Sequence, residues 1–308
     1  MTTTQPIVHE VGLRDGLQME QQTVPREQKR RWVDFLYAAG VDIIQVGSFV
    51  HQTKVPQMAD TDLLVQELLA AGTKPPRVTL SALVLNEKGL ERALASGVEM
   101  ICTGVSASET HSRKNTGMGV AEAADRIVAI ALQAQAAKRK IQVSVQSAFG
   151  CGFEGPVAKE KVLSIAGRYL EAGLRNISLA DTAGHATPAK VEELCTELRH
   201  LEERAELACH FHNTYGLGLA NCYAALQAGV AIFESAMGGL GGCPFTKVAG
   251  GNVSTEDMVH MFNRLGMRRD IQLTPLLELA KDVGMYFERE MPGMVYKTGP
   301  IPEPQAAP

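Results

Sequence analysis

Four amphipathic stretches of this chain end in the same way, on a small residue, a glycine and a branched apolar residue. They are Ala39-Gly40-Val41, Ser96-Gly97-Val98, Ala172-Gly173-Leu174 and Ala228-Gly229-Val230. A glycine there suits the left-handed cap that stops a helix, and each leads directly into a β-rich run. Eight such runs are legible: Ile7-Gly12, Ile43-Gly47, Val78-Leu83, Met100-Val105, Gln142-Gln146, Asn176-Ala180, Leu207-Phe211 and Ile232-Ala236. They recur every ~20 to 40 residues, the size of a βα unit. Helical periodicity fills the gaps at Arg26-Ala39, Val120-Lys138, Lys159-Ala172, Pro188-Glu203 and Leu217-Ala228. The pattern predicts a closed (β/α)8 barrel, the TIM barrel. A doubly wound open sheet is the alternative, but no G-x-G-x-x-G follows the first strand. From Ser254 onward the chain adds one or two helices expected to cap the barrel, and Pro300 to Pro308 reads as a frayed, proline-rich tail.

The chain has 308 residues, 45% of them hydrophobic and 21% charged. That suits one domain of barrel size, residues 1–308 with the barrel over about 7–285. A net charge of −4 without a long basic run excludes a nucleic-acid role as the expectation. No apolar run approaches ~18 residues, so no membrane span is expected. The six cysteines include no C-x-x-C pair, which argues against a disulfide framework and against structural zinc. With no basic segment in Met1-Thr-Thr-Thr-Gln-Pro-Ile, the cytoplasm is the expected compartment.

In such a barrel, reactive side chains gather where the strands end. Alternation turns His210 and His212, in His210-Phe211-His212, to one side of the seventh strand. Asp15 lies beyond the first strand and offers a carboxylate to the same mouth. Two imidazoles with oxygen ligands suit a divalent cation, and mixed N/O ligation with open positions favours Mg²⁺ or Mn²⁺. Arg14 beside Asp15 offers a guanidinium for a carboxylate or a developing enolate oxygen. Asp181 follows the sixth strand. Cys243 sits in Gly238-Gly-Leu-Gly-Gly-Cys-Pro, whose glycines let the loop close over substrate or present a thiol. Cys102, Cys195, Cys209 and Cys222 lie in apolar patterns and read as packing, while Cys151 is undecided. The polar stretch Ser106–Gly117 reads as a solvated loop, with Arg113 and Lys114 available to an anionic cofactor.

Several blocks together resemble the 3-hydroxy-3-methylglutaryl-CoA lyase family. They are Glu10-Val-Gly-Leu-Arg-Asp-Gly-Leu-Gln18, Ser48-Phe-Val50 with Val55-Pro-Gln-Met-Ala-Asp60, Cys209-His-Phe-His-Asn-Thr-Tyr-Gly216, Gly238-Gly-Leu-Gly-Gly-Cys-Pro-Phe245, and Gly251-Asn252 with Thr255-Glu-Asp257. The resemblance implies a metal held by Asp15, His210, His212 and Asn252. It puts Arg14 and Gln45 against an acyl-CoA substrate, Cys243 as acid/base, and Asp181 in proton transfer. The implied reaction is a retro-Claisen cleavage releasing acetyl-CoA, in a homodimeric enzyme. The sequence departs from the family pattern at Gln45 (usually glutamate), at Asn213 (usually aspartate), at Leu13 (usually proline) and at Phe211 and His185. Gln45 cannot carry charge or act as a base, so a lyase with an altered substrate is the expectation. The other readings are a condensing synthase or aldolase of the same superfamily, and a non-catalytic descendant that binds CoA esters or metal.

Overall fold

The computed structural model describes residues 5–242 and 251–301. Eight parallel strands close into a barrel in sequence order: β1 (Ile7–Glu10), β2 (Ile43–Ser48), β3 (Thr79–Leu83), β4 (Met100–Ser106), β5 (Lys140–Gln146), β6 (Asn176–Asp181), β7 (Glu206–Phe211) and β8 (Ile232–Ser235). β1 pairs with β8, with Glu10 opposite Ser235, which closes the ring. All eight expected runs are strands, shifted by a residue or two at their ends.

The helices are α1 (Arg26–Ala39), α2 (Thr61–Ala70), α3 (Glu87–Ser96), α4 (Glu109–Thr116), α5 (Val120–Ala136), α6 (Lys159–Glu171), α7 (Pro188–Leu201), α8 (Gly218–Gln227), α9 (Thr255–Arg264), α10 (Leu273–Tyr286) and α11 (Val295–Thr298). Gly40, Gly97, Gly173 and Gly229 all have φ between 79° and 87°. That backbone is open to glycine at no steric cost, so each terminates its helix before the next strand. After the barrel, α10 packs against α1, α9 and the turn at Met237–Gly239. Trp32 of α1 anchors that contact, donating from Nε1 to Asp282 Oδ2 at 2.8 Å with its ring edge-on to Tyr286. Past Ile301, the expected tail lies outside the described residues.

The stretch after β4 corrects the expectation of a loop, because Glu109–Thr116 is helical. Ser108 caps it by accepting from the His111 amide at 3.2 Å, and Gly117 ends it at φ 77°. With a mostly polar sequence its helical period carries little apolar signal, so the caps rather than a hydrophobic stripe define it.

The barrel interior sets up the site. A cluster of Ile7, Ile43, Met100 and Cys102 fills its lower end. Above that, inward positions turn polar: His9, Gln45, Ser81, Gln142, Ser178 and Glu234 are all buried. Polar groups removed from water must pair with one another or with a ligand.

Candidate active site

A cavity of about 710 Å³ opens at the C-terminal ends of the strands and runs down into this polar interior. Arg14, Asp15, Gln45, His210 and His212 all line it. Asp15 comes from a single π-helical turn, Gly12–Gly16, rather than from the first strand itself. That turn relaxes the alternation rule, and Arg14 and Asp15 therefore reach the same mouth and pair through Nη1 and Oδ1. Arg14 Nε also donates to Gln45 Oε1. The neutral amide at this position thus serves as a hydrogen-bond acceptor for the guanidinium.

His210 Nε2 and His212 Nε2 lie 3.4 Å apart, and Asp15 Oδ2 is 3.8 Å from the first and 3.5 Å from the second. The opposite ring nitrogens are engaged. His210 Nδ1 faces Glu234 Oε2 at 3.0 Å, and His212 Nδ1 faces the Thr182 carbonyl at 2.9 Å. With Nδ1 donating, each Nε2 lone pair is free to point at a common centre, the arrangement that orients metal-binding histidines. Asn252 is tied to this group by its Nδ2, which donates to Asp15 Oδ2 at 2.9 Å and to the Leu240 carbonyl at 3.0 Å. Its Oδ1 is buried without a partner among the described residues. Asp15, His210 and His212 form a group that could hold a metal ion, and the orphaned Asn252 oxygen fits a further ligand position.

The electrostatics of the carboxylates agree with that use, while His210 must release a proton to take a cation. Burial would raise the Asp15 carboxyl, but the Arg14 guanidinium and the hydrogen bond with His212 outweigh it and hold the group well below the usual carboxylate range. Burial would likewise raise Glu234, yet bonding and charge from His210 bring it down to about 2. Glu234 in turn lifts His210 above the ordinary imidazole value against the opposing effect of burial. Asp181 differs. Burial raises its carboxyl, opposed by backbone amides at Ala186 and His185 and by the charge of His212. Its Oδ1 accepts from the His185 amide at 2.7 Å, and its Oδ2 is buried with no partner among the described residues.

The structure thus brings together Arg14, Asp15, Gln45, His210, His212 and Asn252, whereas Asp181 is fully buried between Ala180 and Thr182, which line the cavity in its place. Cys243 lies outside the described residues. Arg113 and Lys114 turn elsewhere, Arg113 to Glu109 and Lys114 over the Phe153 ring at 4.3 Å. Lys54, Lys88 and Arg126 supply the cationic lining instead. Cys102 packs against Ile43 and Met100 as its apolar pattern suggests, and its sulfur also borders the cavity beside Gln142. Cys151 is buried and free, and its sulfur accepts from the Phe153 amide at 3.4 Å. Sequence reasoning missed Glu234, whose signal was a lone carboxylate inside Ile232-Phe-Glu-Ser. It also missed Gln142, flagged only by polar residues at alternate positions of β5.

Comparison with known proteins decides the family. The HMGL-like family model matches residues 5–283.

The chain belongs to the HMGL-like family.

Within or beside that family, it is 40% identical over 269 residues to the mitochondrial hydroxymethylglutaryl-CoA lyase of Mus musculus, covering 87% of this chain and 82% of that protein. It is 37% identical over 298 residues to the (R)-citramalyl-CoA lyase of Chloroflexus aurantiacus, covering 95% and 94%. A structure of the HMG-CoA lyase of Acinetobacter baumannii, in complex with coenzyme A and 3-methylmalate, superposes with a TM-score of 0.91 at 34% identity over the full length of both chains.

Proposed function

We propose that this protein is a divalent-metal-dependent carbon–carbon lyase acting on a 3-hydroxy-3-substituted acyl-CoA, 3-hydroxy-3-methylglutaryl-CoA or a close analogue. The observation that carries the reading is the convergence of Asp15 Oδ2 with the two Nε2 atoms of His210 and His212 at the barrel mouth. Membership of the HMGL-like family supports the substrate class. Asp15, His210, His212 and Asn252 would hold the cation, with Mg²⁺ or Mn²⁺ favoured by the mixed oxygen and nitrogen donors. When bound, it supplies Lewis-acid charge that acidifies a tertiary hydroxyl.

The chain's own residues then divide the work. The proton of the C3 hydroxyl leaves toward Asp181, assigned by the resemblance, whose carboxyl is raised by burial and lies behind the cavity-lining Ala180 and Thr182. The C2–C3 bond breaks, C3 becomes a carbonyl, and the bonding electrons pass to the thioester as an enolate. Arg14, fixed by Gln45 and Asp15, places its positive charge where the enolate oxygen develops. Cys243, assigned by its place in the glycine–cysteine block, returns a proton to C2 and releases acetyl-CoA.

The test mixes purified protein with Mn²⁺ or Mg²⁺ and 3-hydroxy-3-methylglutaryl-CoA. Metal-dependent formation of acetyl-CoA and acetoacetate is expected, with a loss of roughly 100-fold or more in Cys243→Ser. Silence from folded, metal-loaded protein sinks this substrate. A second reading, (R)-citramalyl-CoA, draws on the relative that spans nearly the whole chain, and pyruvate rather than acetoacetate would identify it. Metal binding without turnover of any thioester would indicate a non-catalytic descendant.

No helix among the described residues is long and apolar enough to cross a membrane. The five cysteines among the described residues are buried free thiols, which suit a reducing compartment, and the cytoplasm is part of the proposal. The homodimer rests on the family resemblance, and light scattering checks it.

A further inference from the structure

Below the metal-competent group, β4 and β5 turn a different kind of chemistry into the cavity. On β5 the alternate residues Gln142, Ser144 and Gln146 all line it. Gln142 is 2% exposed, yet its Nε2 has no hydrogen-bond partner among the described residues. The other end of the amide meets a thiol. Cys102, opposite it in the strand register, donates from Sγ to Gln142 Oε1 at 3.6 Å. Burial, together with the nearby Glu234 charge, pushes the Cys102 thiol up to about 12, so it stays protonated and keeps its donor. The amide oxygen thus faces a thiol donor, and the amide nitrogen is left without a partner among the described residues.

A buried amide donor without a partner is destabilising, and folded proteins leave few of them. Where such a donor lines a ligand cavity, a ligand acceptor can satisfy it. The neighbouring walls agree with a polar occupant. Ser144 and Ser178 face each other across β5 and β6, and Gln45 lies on the same cavity. Among the described residues, those of β4 and β5 that line the cavity include no lysine or arginine, and the nearest cation is Arg14, bonded to Gln45 across the interior. The groups that β4 and β5 themselves present there are neutral hydrogen-bonding ones.

We infer that Gln142 is a specificity-determining residue whose Nε2 donates to an acceptor oxygen, a terminal carboxylate, on the acyl branch that enters the barrel. The inference rests on the acyl-CoA reading above and deepens it. An acyl chain ending in an apolar group leaves the amide unpaired and loses the bond. A site built to bond a polar group discriminates strongly against an analogue that lacks it.

Two thioesters separate this from other sources of affinity. Glutaryl-CoA and pentanoyl-CoA share a five-carbon acyl chain and differ in the terminal carboxylate, and neither carries the hydroxyl needed for cleavage. Their dissociation constants would be measured by calorimetry on Mn²⁺-loaded protein, for the native chain and for Gln142→Met. The native protein is expected to favour glutaryl-CoA by about 10-fold or more, the effect of a hydrogen bond to a charged group. Gln142→Met is expected to lose most of that ratio by weakening glutaryl-CoA alone, with Mn²⁺ content unchanged. Gln142→Glu, which puts a carboxylate against a carboxylate, is expected to reverse it. A ratio that survives in both folded variants overturns the role of Gln142, while cleavage of 3-hydroxy-3-methylglutaryl-CoA by the native protein would leave the lyase reading intact. Failure of the native protein to bind either thioester, or to cleave any, overturns the acyl-CoA reading and this inference with it.

Discussion

The two sides of the cavity leave opposite kinds of atoms open. On the side of β7, β8 and the turn after β1, what stays open is electron-rich: two imidazole Nε2 atoms, the Asp15 carboxylate and Asn252 Oδ1. Every one of these is braced from behind, by Glu234, Thr182, Arg14 or Leu240. On the side of β4 and β5, the open atoms among the described residues are Gln142 Nε2, whose amide oxygen takes a neutral thiol, and the Thr103 hydroxyl. One wall suits a cation and the other an acceptor oxygen. A single polar interior thereby offers both halves of what a carboxylated substrate beside a metal would need.

That contrast can be broken most severely at His212. His212→Ala removes a donor from the electron-rich side, and metal content should fall together with activity, by more than about 100-fold. Unchanged metal content and activity would dissolve the assignment of that wall. The brace behind it is a finer probe. Glu234→Gln keeps the shape but takes away the charge that fixes the His210 ring, so affinity for Mn²⁺ in chelator competition should drop by roughly 10- to 100-fold. An unaltered affinity would mean that Glu234 only satisfies Ser178, to which its Oε1 is bonded at 2.8 Å.

The smallest effect concerns the rim of the electron-rich side, where two buried carboxyls join the turn after β1 to the turn after β8. Glu10 accepts from the Gly12 and Met237 amides at 2.6 and 2.9 Å, and Glu256 accepts from Gly238 at 3.0 Å. Burial raises Glu10 to about 7 and Glu256 to about 8. A carboxyl raised in the folded state binds more protons there than in the unfolded chain. Its contribution is therefore complete below the ordinary carboxyl range and is lost as pH rises through the folded value. His9, lowered by burial to about 4, acts the other way, but its effect is complete by the ordinary imidazole value near 6.5. Between pH 6.5 and 8.5 the melting temperature should fall, and Glu256→Gln should flatten that fall by roughly 2 °C or more. Identical slopes in thermal melts of the two proteins would show that Glu256 is not protonated in the folded state.

Much of this was legible in the sequence for reasons of period. Strand positions followed from short β-rich runs, and helix ends from glycines that alone tolerate the left-handed cap. The His210 and His212 pair followed from the two-residue repeat of a strand. Where no period exists, reading failed. The helix at Glu109–Thr116 has caps but little apolar stripe, and Arg113 and Lys114 turned away from the mouth accordingly. Glu234 and Gln142 sit in buried strands where their neighbours are apolar, so composition drew attention away from them.

What the sequence by itself determined is the alternation of strands and helices, and with it the end of the barrel at which Asp15, Asp181, His210 and His212 emerge. That information is local, carried by propensity, period and capping over a few residues. Only the tertiary structure decided which atoms meet. The tautomer-setting contact of His210 spans 24 residues to Glu234, the Asn252 bond spans 237 to Asp15, and the Cys102 contact spans 40 to Gln142. Closure of the ring brings these partners within hydrogen-bond distance, and burial then makes every unpaired polar atom costly enough to mark a place for a ligand.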